Sequence, residues 1–167
     1  MLSMSLRLVP VISNNICLSM LKQEVNELKN YRIQCPYCGA NAVLKSANKL
    51  FGAKVHDPDR FLYVCSNWPA CDSYVTAHAA DRSPMGTLAN RQLRHKRIQA
   101  HKALLAYRKA TRTEKWASYI WLEGKLGLDQ KKTHIGMFSD AECDQVIALC
   151  RKEAARFNRS RMRGVSG

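Results

Sequence analysis

The sequence predicts an α+β protein: a small cysteine-pinned ribbon of three short antiparallel strands, followed by a basic three-helix segment. Three observations predict it. Two cysteine pairs, Cys35-Pro36-Tyr37-Cys38-Gly39 and Cys65-Ser66-Asn67-Trp68-Pro69-Ala70-Cys71, bracket a hairpin-length insert. Short runs rich in apolar, β-branched and aromatic residues lie between and after the pairs. From Leu88 to Lys109 the chain holds good helix formers without Pro or Gly.

Residues 1–30 read as a leader and a short N-terminal helix. Met1 to Met20 is moderately apolar, but Pro10 and the Asn14-Asn15 pair interrupt it and no small-residue cleavage site follows. Met20 opens the more helix-like run Met-Leu-Lys-Gln-Glu-Val-Asn-Glu-Leu-Lys. The residues before Met20 are therefore expected to be a disordered leader or to precede the true start. No apolar run approaches the ~20 residues that span a bilayer, so no membrane partner is expected.

The ribbon is placed at residues 31–82. Ala42-Val43-Leu44-Lys45, Phe61-Leu62-Tyr63-Val64 and Ser73-Tyr74-Val75-Thr76 are its strands, and Gly52 to Asp59 is turn material. A thiolate pair two residues apart wraps one edge of a tetrahedral Zn²⁺, and a second pair beyond a hairpin closes the shell. Cys35, Cys38, Cys65 and Cys71 are the expected ligands. A closed four-thiolate site is structural, and so small a ribbon draws much of its stability from the metal. Two alternatives are weaker. His56 and His78 flank the second pair, but four thiolates already complete the shell. A disulfide framework suits a short secreted chain, whereas this one has 167 residues, seven cysteines and a net charge of +14. Free thiols at Cys17, Cys143 and Cys150 agree with a reducing, cytoplasmic setting.

A basic helical domain is expected over residues 83–158, with Ser83-Pro84-Met85-Gly86 as its boundary and Thr87 as the cap of the first helix. At about 100° per residue, Leu93, Ala100, Leu104 and Tyr107 share one face, with Ile98 and Leu105 outside it. Arg91, His95, Lys102 and Lys109 align on another face. A second helix from Thr113 to Leu126 carries Trp116, Tyr119, Ile120, Trp121 and Leu122, apolar over much of its surface, which places it centrally in a small core. Ser139-Asp140-Ala141-Glu142 is a capping box. The third helix behind it sets Cys143, Ile147, Cys150, Ala154 and Phe157 on one stripe, so Cys143 and Cys150 read as core rather than ligands. Residues 159–167 read as a disordered basic tail.

The charge is uneven. Residues 35–86 hold five Lys/Arg against four Asp/Glu, whereas residues 87–128 hold ten against two. No acid occurs between Asp81 and Glu114. An ordinary solvated face mixes both signs, and a one-sided run repels itself unless an anion neutralises it. Arg91, Arg94, His95, Lys102 and Lys109 are therefore candidate phosphate contacts. His101 and His134 invite a catalytic reading, but no paired carboxylates, Ser-His-Asp set or Gly-rich phosphate loop accompanies them, and no enzyme is expected.

The second knuckle, Cys-Ser-Asn-Trp-Pro-Ala-Cys-Asp, with the first Cys-x-x-Cys-Gly, resembles the C-terminal zinc ribbons of bacterial type IA topoisomerases from Cys35 to about Val75. Those ribbons contact single-stranded DNA, so the resemblance implies Tyr63, Trp68 and Tyr74 as stacking residues. The reading in which these aromatics merely cover the zinc cage stays open beside it. The topoisomerase catalytic core is absent. Tyr31 to Ile147 also resembles an uncharacterised zinc-finger-containing family of phages and mobile elements. The two knuckles carry that likeness with Pro84-Met85-Gly86-Thr87-Leu88-Ala89-Asn90, Leu93-Arg94, Ala100-His101 and His134-Ile135-Gly136-Met137-Phe138. The expectation is a non-catalytic, zinc-dependent nucleic-acid-binding protein, with DNA (single-stranded or at a junction) favoured. The alternatives are an adaptor that docks on a polymerase, replication or host defence factor, and a nuclease.

Overall fold

A computed structural model describes residues 31–52 and 55–164. The leader, the helix expected from Met20, and Cys17 lie outside the described residues. Strand β1 (Ala42–Ser46) leads into a five-residue helix α1 (Ala47–Phe51), then β2 (Phe61–Cys65) and β3 (Tyr74–Thr76). Helices α2 (Arg91–Thr111) and α3 (Lys115–Leu126), a 3₁₀ turn (Ile135–Met137) and α4 (Asp140–Gly164) follow. The fold is α+β, as the sequence predicts.

The sheet is antiparallel in the order β1-β2-β3, with Leu44 opposite Tyr63 and Tyr63 opposite Val75. Its central strand is buried on both faces. Tyr63 and Cys65 pack with Cys35, Val75, Ala77 and Leu88, while Leu62 and Val64 pack with Ala47 of α1 on the other side. The insert between the knuckles thus supplies a lid for the second face in α1, a helix that the sequence reading, with turn material over Gly52 to Asp59, does not include.

Residues 83–90 run back along β3 and continue its hydrogen bonding. Met85 N–H donates to Thr76 O (2.8 Å), and Tyr74 and Ala89 exchange backbone bonds (3.1 Å each). The cap of α2 is Asn90, whose side chain accepts from Leu93 N–H at 2.9 Å, and not Thr87. Thr87 instead serves Arg97, a buried guanidinium that the sequence alone does not set apart from the other cations of α2. Arg97 donates to Thr87 O (2.8 Å), Thr87 Oγ1 (2.7 Å) and Phe138 O (3.0 and 2.9 Å). Burial lowers its pKa, with Cys143, Tyr37 and nearby carboxylates opposing. The clamp works because two backbones meet beside it: Thr87 N–H donates to Gly136 O at 3.0 Å, and a Cβ on Gly86 would overlap the Gly136 carbonyl.

The helical core joins Leu93, Ala100, Leu104 and Tyr107 of α2 to Leu122, Ile135, Phe138, Cys143, Val146, Ile147 and Cys150. The α2 stripe and the two core cysteines are as expected, and Ile98 and Leu105 lie exposed outside the stripe. The capping box of α4 closes with Ser139 N–H donating to Glu142 Oε2 at 2.7 Å. Two expectations need correction. Helix α3 is not central: Trp116 and Ile120 are 68% and 56% exposed, because the helix meets the core through Ser118, Leu122 and Leu126, with Tyr119 and Trp121 partly buried beside them. The basic tail is helical as far as Gly164, since α4 continues beyond its core contacts with strong helix formers and no Gly or Pro between Asp140 and Arg163. Phe157 accordingly reaches solvent, at 38% exposure.

Candidate metal centre and basic surface

Each knuckle is folded by its own backbone before any ion is considered. In the first, Gly39 takes a left-handed φ of 72° and donates to Cys35 O at 2.9 Å, while Cys35 N–H donates to Ala40 O at 2.8 Å. In the second, Trp68 N–H donates to Cys65 O and Cys71 N–H to Asn67 O, both at 3.0 Å. The glycine is required because its φ is costly for residues that carry a Cβ.

β2 and the knuckles bring Cys35, Cys38, Cys65 and Cys71 together with all four sulfurs within 4.8 Å of one another. Cys35 and Cys71 Sγ are 3.6 Å apart, and Cys38 and Cys65 Sγ 3.3 Å. A tetrahedron with Zn–S bonds near 2.3 Å has edges of about 3.8 Å, so the cage fits the ion with small adjustment. His56 and His78 are not among these ligands.

The thiols differ electrically. Burial opposes ionisation of Cys35, but hydrogen bonds from Ser73 Oγ, the Tyr37 and Cys38 amides and Cys71 outweigh it and hold the group at about 6. Burial pushes Cys65 up to about 12, with the neighbouring thiols adding to the rise against the Asn67 amide. A divalent cation supplies the charge that lets all four ionise together. The fully buried Ser73, which sequence reasoning did not single out, places its hydroxyl 2.9 Å from Cys35 Sγ and 3.3 Å from Cys71 Sγ, one sulfur from each knuckle. Asn67 Nδ2 donates to Cys38 Sγ at 3.5 Å.

The ribbon is tied to the helices directly behind the last ligand. Asp72 accepts from Arg91 N–H (3.1 Å) and from Arg94 Nη2 (3.2 Å), so it acts as a second cap for α2. Arg94 also donates to Asp72 O and Ala89 O, both at 2.6 Å, and lies 3.8 Å over the Tyr74 ring. Arg94 is therefore a structural cross-brace and not a free phosphate contact, a correction to the sequence reading. Tyr63 is corrected too: it is 4% exposed, packed edge-on against Tyr31, and offers no face to a base.

The remaining predicted contacts lie at the surface. Arg91, His95, Lys102 and Lys109 are exposed along α2, which carries no carboxylate. Trp68 and Tyr74 are half-buried and meet Phe51 of α1 edge-on, at centroid distances of 6.0 and 5.5 Å. Phe51, 42% exposed, is the most open ring of that trio and was missed because its helix is only five residues long. An open groove of about 890 Å³ joins Tyr74 to Arg91, His95, Ile98 and Gln99. His134 lies against Tyr119 (5.3 Å), and burial, Lys115 and His134 lower the pKa of His101.

No helix among the described residues is long and apolar enough to cross a membrane. A family model described as a zinc-finger-containing domain matches residues 31–153, which is most of the chain. No curated protein and no solved structure gives a significant match.

Proposed function

The chain belongs to the zinc-finger-containing domain family, and from that premise we propose that it is a non-catalytic nucleic-acid-binding protein, with DNA favoured. Four thiolates saturate a tetrahedral ion and leave no position for substrate, so the metal's task is to hold the ribbon. The carrying observation is the outward ridge of α2. Of the seven Lys and Arg on this acid-free helix, Arg94, Lys96, Arg97 and Arg108 are committed to Asp72, to Asp140 with Asp144, to Thr87 with Phe138, and to Thr113 O. Arg91, His95, Lys102 and Lys109 stand exposed on one face. Cations at that density are stabilised by phosphates, while Phe51 and Trp68 beside the groove offer rings for unpaired bases. The phage or mobile-element setting implied by the resemblance, and the cytoplasmic location suggested by the free thiols, belong to the same proposal.

The test is binding of labelled oligonucleotides to wild type and to Arg91→Ala with Lys102→Ala. The double variant should bind more weakly whatever the sequence, and with a flatter salt dependence. Wild-type affinity in the variant would remove the ridge from the account.

A second reading rests on Ile98 and Leu105, 52% and 46% exposed between the cations of the same ridge. An acidic amphipathic segment of a protein partner matches that alternation. An adaptor of this kind would bind nucleic acid weakly and without regard to its form.

A further inference from the structure

We propose that the groove between α2 and α4 is a seat for the backbone of a single-stranded polynucleotide, with α4 as its second wall. This rests on the nucleic-acid reading above. The two helices run in the same direction: Lys96 of α2 pairs with Asp140 and Asp144 at the start of α4, and Lys102 to Ala106 lie beside Arg151 to Asn158 further along. Between those latter segments is a groove of about 520 Å³. The buried Cys150 and the half-buried Ala103 and Ala154 form its floor, the exposed Ala155, Lys102 and Arg151 line its sides, and Gln99 and Asn158 lie towards its ends.

Three features suit a phosphodiester strand. No carboxylate lines the groove; the carboxylates of Asp140 and Asp144 lie at the Lys96 end, where they already hold that lysine, and Glu153 faces Arg156 at 3.8 Å. The floor is of small side chains and the ends carry amides, which bond phosphate and base edges alike. Gln99 also lines the larger groove that reaches Tyr74 and Arg91, so the two form one path along α2 towards the ribbon rings. Packed helix axes lie about 8–10 Å apart, so the groove above their contact is narrow. A duplex would rest on the rims and leave the floor untouched.

The test is fluorescence anisotropy of the full chain with a labelled oligothymidylate and with a labelled hairpin duplex. Arg151 and Ala155 are exposed, so Arg151→Ala and Ala155→Glu leave the core intact, and both new residues are good helix formers. Oligothymidylate should bind more tightly than the hairpin. Ala155→Glu should weaken oligothymidylate binding on the order of ten-fold, and Arg151→Ala should lower the log–log salt slope by about 0.7. If both variants bind like wild type while Arg91→Ala with Lys109→Ala loses affinity, the groove is refuted and the ridge reading stands. Tighter binding of the hairpin also refutes the groove. A wild-type protein that ignores both oligonucleotides in dilute buffer refutes both.

Discussion

Replacing Gly86 with alanine tests the packing that holds the ribbon's exit against the helical core. The new Cβ would lie within 2.5 Å of the Gly136 carbonyl carbon and 3.0 Å of its Cα. Both are backbone atoms and cannot rotate away, so one strand of the crossing must move. The movement breaks the Thr87 N–H to Gly136 O bond (3.0 Å), worth about 1 kcal/mol. Overpacking and the positive φ of 155° add roughly 2–3 kcal/mol, and the stiffer unfolded chain returns about 0.4–1 kcal/mol. The net loss is about 3 kcal/mol. At 2–4 °C per kcal/mol for a chain of this size, the midpoint should fall by roughly 6–12 °C. Thermal unfolding followed by circular dichroism reads it, with Gly124→Ala as the control. Gly124 sits in α3 with nothing near its Cβ position, so alanine there should stabilise by about 0.5–1 kcal/mol. A Gly86→Ala variant as stable as wild type, or no different from Gly124→Ala, would refute the close crossing.

Other outcomes follow from the metal cage and the buried guanidinium. Cys65→Ser should release zinc and unfold the ribbon; unchanged metal content by elemental analysis would refute the ligand set. Ser73→Ala should weaken zinc binding about 10–100-fold in a chelator competition, because the hydroxyl held against two of the sulfurs is lost; unchanged affinity would make that hydroxyl incidental. Arg97→Met leaves Phe138 O and Thr87 unpaired and should cost about 3–5 kcal/mol in urea unfolding, with zinc retained. Zinc binding should release protons at pH 7 and weaken as pH falls, since Cys65, at about 12 without the ion, must lose its proton to become a ligand. Calorimetry in buffers of different ionisation enthalpy reads that release, and zero proton release would contradict it.

The knuckles were legible because ligand spacing is a local property: two residues between Cys35 and Cys38 fix the geometry before any tertiary contact forms. The same holds for the Ser139 capping box and for the Leu93, Ala100, Leu104, Tyr107 stripe, each set by positions a few residues apart. Arg97 was not legible, since its partners Thr87 and Phe138 stand 10 and 41 residues away. Helix α1 is too short for periodicity to register, yet it buries one sheet face and presents Phe51. In α3 apolar residues surround the axis, so periodicity cannot choose which face meets the core, and Trp116 and Ile120 were placed wrongly for that reason. Tyr63 was misplaced because an aromatic on a three-strand ribbon serves equally as core or platform. Only the packing of Leu88, Ala77 and Tyr31 over that face decides between them.

The most direct measurement is the ionic-strength dependence of oligothymidylate affinity for the full chain, with zinc content determined on the same preparation. With about six phosphate contacts along α2 and α4, affinity should fall with a log–log slope near −4, in protein carrying one zinc per chain. A flat salt response in zinc-loaded protein, or a folded preparation without zinc, would contradict the account.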